Sequence, residues 1–273
     1  MNYQTFQPHP DLTSFIKCYW SLEVPFQKDV QRQLILPDGC IEMIFILGDD
    51  VKRYISNDEF IIQPREMVLG QITEQFYVEP TGNVDSFAVK FYPYGIANFV
   101  STPIKDLANK ETPLALLFGE KVSKQLQENI TKATDTHERI KIIEKFFLDR
   151  LSNTTTIDTI IKTTIDSLFS TRGSTPINNI LKNDMSKRRQ LERKFLTQIG
   201  ISPKQLGKVI RLQAALKTML NQTSESLTEV AYESDYYDQA HFIKDFKEFT
   251  GISPKEFLGN KNMALSSLFY KES

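Results

Sequence analysis

One stretch of this chain occurs twice, and the repeat limits the fold more than any other feature. Gly200-Ile201-Ser202-Pro203-Lys204 returns fifty-one residues later as Gly251-Ile252-Ser253-Pro254-Lys255. Upstream, Leu191 and Phe195 match Phe242 and Phe246, with Arg193 opposite Lys244. Further upstream, Ile177, Ile180 and Leu181 match the apolar pattern of Leu227, Val230 and Ala231. Two copies of a sequence pattern imply two copies of one supersecondary unit.

The unit reads as helix, turn, helix, glycine stop, helix start. Ser226-x-x-Glu229, Ser202-Pro203-x-Gln205 and Ser253-Pro254-x-Glu256 carry the chemistry of a helix N-terminus: a hydroxyl cap, with an acid or amide three residues on. Gly200 and Gly251 stand where a helix C-terminus needs a left-handed residue. Pro203–Leu220 is expected to be one connecting helix. A short turn before a polar second helix is the pattern of a DNA-binding helix-turn-helix. In the first copy that second helix spans Lys187–Gln198, with Leu191 and Phe195 inward and Arg188, Arg189, Glu192 and Arg193 on the remaining face.

Charge agrees once it is divided by region. The whole chain carries a formal net charge of −1, which argues against nucleic acid at first sight. Residues 174–221, however, carry ten Lys+Arg against two Asp+Glu, a net +8. Residues 1–173 and 222–260 are each net −5. Asymmetry of this size marks an interaction surface.

The first ninety residues read as β-rich. Strands are expected over Phe15–Val24, Gln33–Leu36, Cys40–Leu47, Glu59–Gln63, Gln75–Val78 and Ser86–Tyr92, with Pro37-Asp38-Gly39 as a turn. Short strands with turns between them suggest an antiparallel sandwich or barrel. After Pro93, helices are expected over Glu120–Ile130, Thr136–Leu151 and Ile157–Phe169, and Thr175 is placed as a helix cap with Pro176 in the first turn. The fold class is therefore α+β: an N-terminal antiparallel β-rich domain with trailing helices over 1–151, a helical connection over 152–174, an all-α double helix-turn-helix domain over 175–260 and a tail over 261–273. The two units fall at about 175–200 and 226–251.

Other classes lose ground. No apolar run approaches the ~20 residues that span a bilayer, and no secretory leader is visible, so a cytoplasmic location without membrane contact is expected. Cys18 and Cys40 form no CxxC motif and read as reduced buried thiols. His9, His137 and His241 lack metal-ligand spacing, and no strand holds a histidine, so a cupin-like enzyme tethered to DNA is the weakest reading. Neither a catalytic residue, a metal nor a cofactor is expected. Tyr19, Trp20, Phe45 and Phe91 fit a pocket, but such residues usually form core, and none is assigned to a ligand.

The repeat also resembles a known family. Leu191-x-Arg193-x-Phe195 followed by Gly200-x-Ser202-Pro203 is similar to the first half of the AraC/XylS transcription-regulator domain. Leu227–Ala231, then Tyr236–Lys247, then Gly251–Pro254 resembles its second half. The resemblance covers residues 175–258 and implies two recognition helices in successive major-groove segments of double-stranded DNA. It implies DNA-facing positions at Lys187, Arg188, Arg189, Glu192 and Arg193, and at Gln239, Ala240, His241 and Lys244. Three positions depart from the family: Asp235 replaces a glycine, Lys187 replaces a serine that falls one residue early at Ser186, and Ala240 lacks a hydroxyl. Tyr19-Trp20, Leu36–Gly39, Leu69–Gln71 and Phe91–Gly95 are similar to an N-terminal domain carried by uncharacterised regulators of this family. By analogy that domain senses a small-molecule effector or forms a homodimer, and RNA polymerase is a further partner. A regulator without an effector, controlled by abundance or a protein partner, is the alternative.

Overall fold

The computed structural model describes residues 1–26, 32–151, 158–181, 186–221 and 226–258; the 261–273 tail lies outside them. Among the described residues ten strands come first: β1 (Asn2–Phe6), β2 (Ile16–Val24), β3 (Gln33–Ile35), β4 (Ile41–Ile46), β5 (Val51–Tyr54), β6 (Phe60–Ile62), β7 (Glu66–Leu69), β8 (Phe76–Pro80), β9 (Val84–Phe91) and β10 (Glu111–Pro113). They form two antiparallel sheets, β1-β2-β9-β4-β7-β10 and β3-β8-β5-β6. The strand candidates read from sequence are all present, within one or two residues at each end. β1, β5, β7 and β10 are additional.

Alternation along the central strands decides what each face packs against. On β4, Ile41, Met43 and Phe45 point to one side, with Phe87, Val89 and Phe91 of β9 beside them. Helices α1 (Leu114–Phe118), α2 (Glu120–Lys132) and α3 (Thr136–Leu148) cover that side, and Leu126, Ile130, Ile143 and Phe147 are fully buried against it or nearly so. The opposite face carries Trp20, Leu22, Ile46 and Ala88, which meet Val51, Phe76 and Val78 of the second sheet. A cavity of about 130 Å³ remains between the sheets. Trp20 lines it, whereas Tyr19, Phe45 and Phe91 are core on the helix-covered side.

The remaining helices are α4 (Thr159–Ser170), α5 (Ile177–Ile180), α6 (Ser186–Ile199), α7 (Pro203–Leu220), α8 (Leu227–Glu233), α9 (Gln239–Thr250) and α10 (Pro254–Leu258). α7 has the span expected from sequence. α5 starts one residue later than expected: Pro176, with φ −59° and ψ 138°, is the capping residue rather than part of the first turn. α4, read from sequence as connection, packs into the first unit, where Ile161, Ile165 and Leu168 join Leu191, Phe195, Ile199, Leu206 and Ile210 in one core. Val209, Leu212, Ala215, Leu216 and Met219 of α7 belong to a different core, with Val230, Phe242, Phe246 and Phe257 of the second unit.

The β-domain docks on α7. Leu34 and Leu36 enter the second unit's core, and the side-chain amide of Gln213 donates to the Pro37 carbonyl at 2.5 Å. Gly39 closes the Pro37–Gly39 turn at φ +76°, and a β-carbon there would sit 3.0 Å from Leu206. The turn thus needs glycine both for its backbone angle and for its fit against α7.

Candidate nucleic-acid interface

In the first unit, α6 divides cleanly into two faces. Leu191, Phe195 and Ile199, spaced four apart, are fully buried. Lys187, Arg189 and Arg193 are exposed, and Arg188 and Glu192 are half-buried. The Arg188 guanidinium donates to Glu192 at 3.1 Å and to the Asn178 side chain of α5 at 3.2 Å. Arg188 therefore spends part of its donor capacity holding α6 to α5. Arg189 and Arg193 make no side-chain hydrogen bond or ion pair among the described residues, which leaves their planar donor sets presented outward. Lys194 on the flank binds Asp158, the residue that caps α4 by accepting from the Ile160 N–H at 3.1 Å. That ammonium, together with backbone N–H donors, holds the Asp158 carboxyl below the usual carboxylate range.

Gly200 ends α6 at φ +92°, and a reciprocal capping box opens α7, with Gln205 N–H donating to Ser202 Oγ at 3.2 Å and Ser202 N–H to Gln205 Oε1 at 3.0 Å. The second unit repeats these devices. Ser226 caps α8 through the Glu229 N–H at 3.2 Å, and Gly251 ends α9 at φ +71°. Ser253 and Glu256 exchange hydrogen bonds at the start of α10, and those bonds hold the Glu256 carboxyl below its ordinary range. Asp235 occupies the left-handed turn at φ 58°, so the turn survives without the family's glycine.

α9 buries Phe242, Phe246 and Phe249. Gln239, Ala240 and Lys244 are exposed and His241 is half-buried. Asp238 caps the helix, accepting from the His241 N–H at 2.7 Å, so a carboxylate stands at the leading end of this helix. The His241 ring sits edge-on to Tyr236 with centroids 5.4 Å apart, and its Nε2 is 3.6 Å from Asp245. Asp245 is itself buried and pairs with Lys208 of α7 at 3.3 Å. Gln239 accepts from Thr228 Oγ1 at 3.2 Å. His241 and Gln239 are thus oriented by neighbours, while Lys244 has no ion pair among the described residues.

All nine positions implied by the resemblance therefore lie on α6 and α9, five on one and four on the other. Tyr237 is not among the positions the resemblance implies, yet it is 87% exposed immediately before the α9 cap, whereas its neighbour Tyr236 is buried. The signal was present as two adjacent tyrosines at a turn, where only one can face the core. Among the described residues, no group of three or more His, Cys, Asp or Glu could hold a metal ion. No described helix is long and apolar enough to cross a membrane.

Comparison with known proteins follows the same division of the chain. The helix-turn-helix domain family matches residues 185–260. The C-terminal segment is an AraC-type helix-turn-helix domain. Residues 4–113 match a domain of unknown function, DUF6597. A stretch of 70 residues, 26% of this chain, is 37% identical to the HTH-type transcriptional regulator MtrA of Neisseria gonorrhoeae, covering 23% of that one. A stretch of 69 residues, 25% of this chain, is 39% identical to the HTH-type transcriptional regulator GbdR of Pseudomonas aeruginosa, covering 18% of that one. The chain thus spans less than a quarter of the length of these curated relatives. ToxT from Vibrio cholerae aligns over 97% of this chain and 100% of its own, with a TM-score of 0.48 and 14% identity.

Proposed function

We propose that this protein is a sequence-specific DNA-binding transcription regulator. The observation that carries the reading is the pair of helix-turn-helix units built on α7, each presenting one polar helix. α6 offers Lys187, Arg189 and Arg193, and α9 offers Gln239, Ala240, His241 and Lys244. Arginine near the start of such a helix reaches guanine edges in the major groove, and flanking lysines neutralise phosphates. Two helices held by one connector would read two groove segments about one helical turn apart. The activity is binding rather than bond chemistry.

The β-domain is the sensing or dimerising part in this proposal, and contact with RNA polymerase is the route to a transcriptional effect. Selection from a random duplex pool, using the full chain, tests the central claim. A motif with two elements roughly 10 base pairs apart is expected. Recovery of no enriched motif would overturn the reading.

A further inference from the structure

Two charged residues occupy strand positions that should be apolar. Inward-facing positions of β9 run Val84, Ser86, Ala88, Lys90, and the matching positions of β4 run Glu42, Ile44, Ile46. Lys90 lies directly opposite Glu42 in the strand register. Its ammonium is 3.4 Å from Glu42 and 2.5 Å from Asp38 of the Pro37–Gly39 turn, with only 7% of its side chain accessible. The Trp20 side chain hydrogen-bonds to Glu42.

These three charged groups line the cavity between the sheets, together with Trp20, Leu22, Ile44, Met67 and Phe76 among others. Asp38 and Glu42 keep 19% and 18% of their side-chain surface accessible, and both line the cavity. Two carboxylates share one ammonium, so among the described residues, with both acids ionised, the charges lining the cavity sum to −1. Lys17, the other cation acting on Asp38, is not among the walls. An uncompensated charge in an apolar enclosure is costly unless it is paired or neutralised. The two acids respond in opposite directions. Burial alone would raise Asp38, but the Lys90 ammonium and the Cys40 N–H outweigh it and hold the carboxyl low. Burial dominates at Glu42 and raises it. Cys40, buried beside them, is pushed up to about 12 by burial and by Asp38, which keeps it a neutral thiol.

We propose that this cavity binds a small organic amine carrying one positive charge on an apolar body the size of a single ring, with the ammonium taken by Glu42. Charge selects the class. An ammonium gives Glu42 a partner that favours its ionised form against the cost of burial, a neutral ligand supplies no such partner, and a carboxylate adds another negative charge beside one lysine. Size follows from volume, because an engineered cavity of about 150 Å³ in another protein admits benzene.

The same segment joins the cavity to the DNA-binding half. Leu36 and Asp38 line the cavity, while Leu36 also packs in the second unit's core and Pro37 is held by Gln213 of α7. A ligand that alters the Lys90–Asp38–Glu42 pairing acts on the turn that docks against α7. This second step rests on the DNA-binding reading proposed above; the first does not.

Trp20 is the only tryptophan in the chain, so its fluorescence reports entry into the cavity. Titration of the full chain with phenethylamine should give a saturable change. Phenethyl alcohol and phenylacetate should bind at least about tenfold more weakly, the cost of losing a charge-assisted hydrogen bond. Glu42→Gln should remove most of that preference. No saturable change with phenethylamine, or phenylacetate binding as tightly as the amine, would overturn the site, and both readouts use the unmutated chain. Saturating amine should also shift affinity for the selected duplex at least about threefold, about two-thirds in free energy of the weakest coupling expected between allosteric sites. An unchanged duplex affinity with bound amine would refute the coupling and leave the site standing. A failed motif selection with bound amine would refute the DNA reading alone.

Discussion

The two helix-turn-helix units are alike inside and different outside. Leu191 and Phe195 in one, and Phe242 and Phe246 in the other, occupy the same repeat positions, and all four side chains are fully buried. Both second helices end on a left-handed glycine, at φ +92° and +71°. The outward faces have little in common. α6 presents exposed Lys187, Arg189 and Arg193, whereas α9 presents Gln239, Ala240, His241 and a single exposed cation in its first two turns, Lys244, behind the Asp238 carboxylate. Close packing restricts the buried positions to a narrow range of shapes. The solvent face is under no such restraint, and the two differ: one helix face is cationic and the other nearly neutral.

Changes that test the shared interior have the largest expected effect. Phe195→Ala and Phe246→Ala should each cost about 3–5 kcal/mol, the range for emptying a buried phenylalanine site. Urea unfolding followed by circular dichroism measures both. A small loss in one and a large loss in the other would break the equivalence of the two cores.

The divided exterior is tested next. Removing Arg189 and Arg193 together should weaken binding to the selected duplex by roughly 10- to 100-fold and flatten the dependence of log K on log salt by about one phosphate contact per arginine that binds phosphate. Lys244→Ala should change that slope less than Arg193→Ala. Equal slope losses from Lys244→Ala and Arg193→Ala would refute the asymmetry.

The smallest effect is expected at the second unit's turn. Asp235 stands at φ 58°, where glycine has no β-carbon penalty. Asp235→Gly should raise thermal stability by up to about 0.5 kcal/mol, the relief being partly offset by the freedom glycine gains in the unfolded chain. A clear loss of stability would show that the aspartate holds the turn by more than its backbone angle.

The helix-turn-helix half was legible because its signals are local. A serine cap followed by proline, and a glycine fifty-one residues before its copy, state where helices start and stop, and Pro203–Leu220 is found where it was expected. The β-half was legible mainly where strands are apolar, although the buried Met67-Val68-Leu69 run of β7 was missed. β1, β5 and β10 escaped notice because they carry polar or proline-containing sequences and are defined by the neighbours they pair with, such as Asn2 with Glu23 and Glu111 with Leu69. α4 was read as a helix but not as part of the first unit, since its core contacts are made by segments some thirty to forty residues later in the chain. The charged end of the cavity left a trace in the sequence: a glutamate and a lysine within strands whose other residues are almost all buried. Only the pairing of β4 with β9 reveals that the two face each other.

The sharing of α7 has a consequence for how the domain can be taken apart. Leu206 and Ile210 complete one core, and Val209, Leu212 and Leu216 complete the other. The repeat therefore has no clean seam. A cut on either side of α7 strips a wall from one core, and neither period of the duplication is a module that could be lost, swapped or expressed by itself. Melting of the C-terminal half follows as one event, and the spacing between α6 and α9 is set as a fixed property of a single helix.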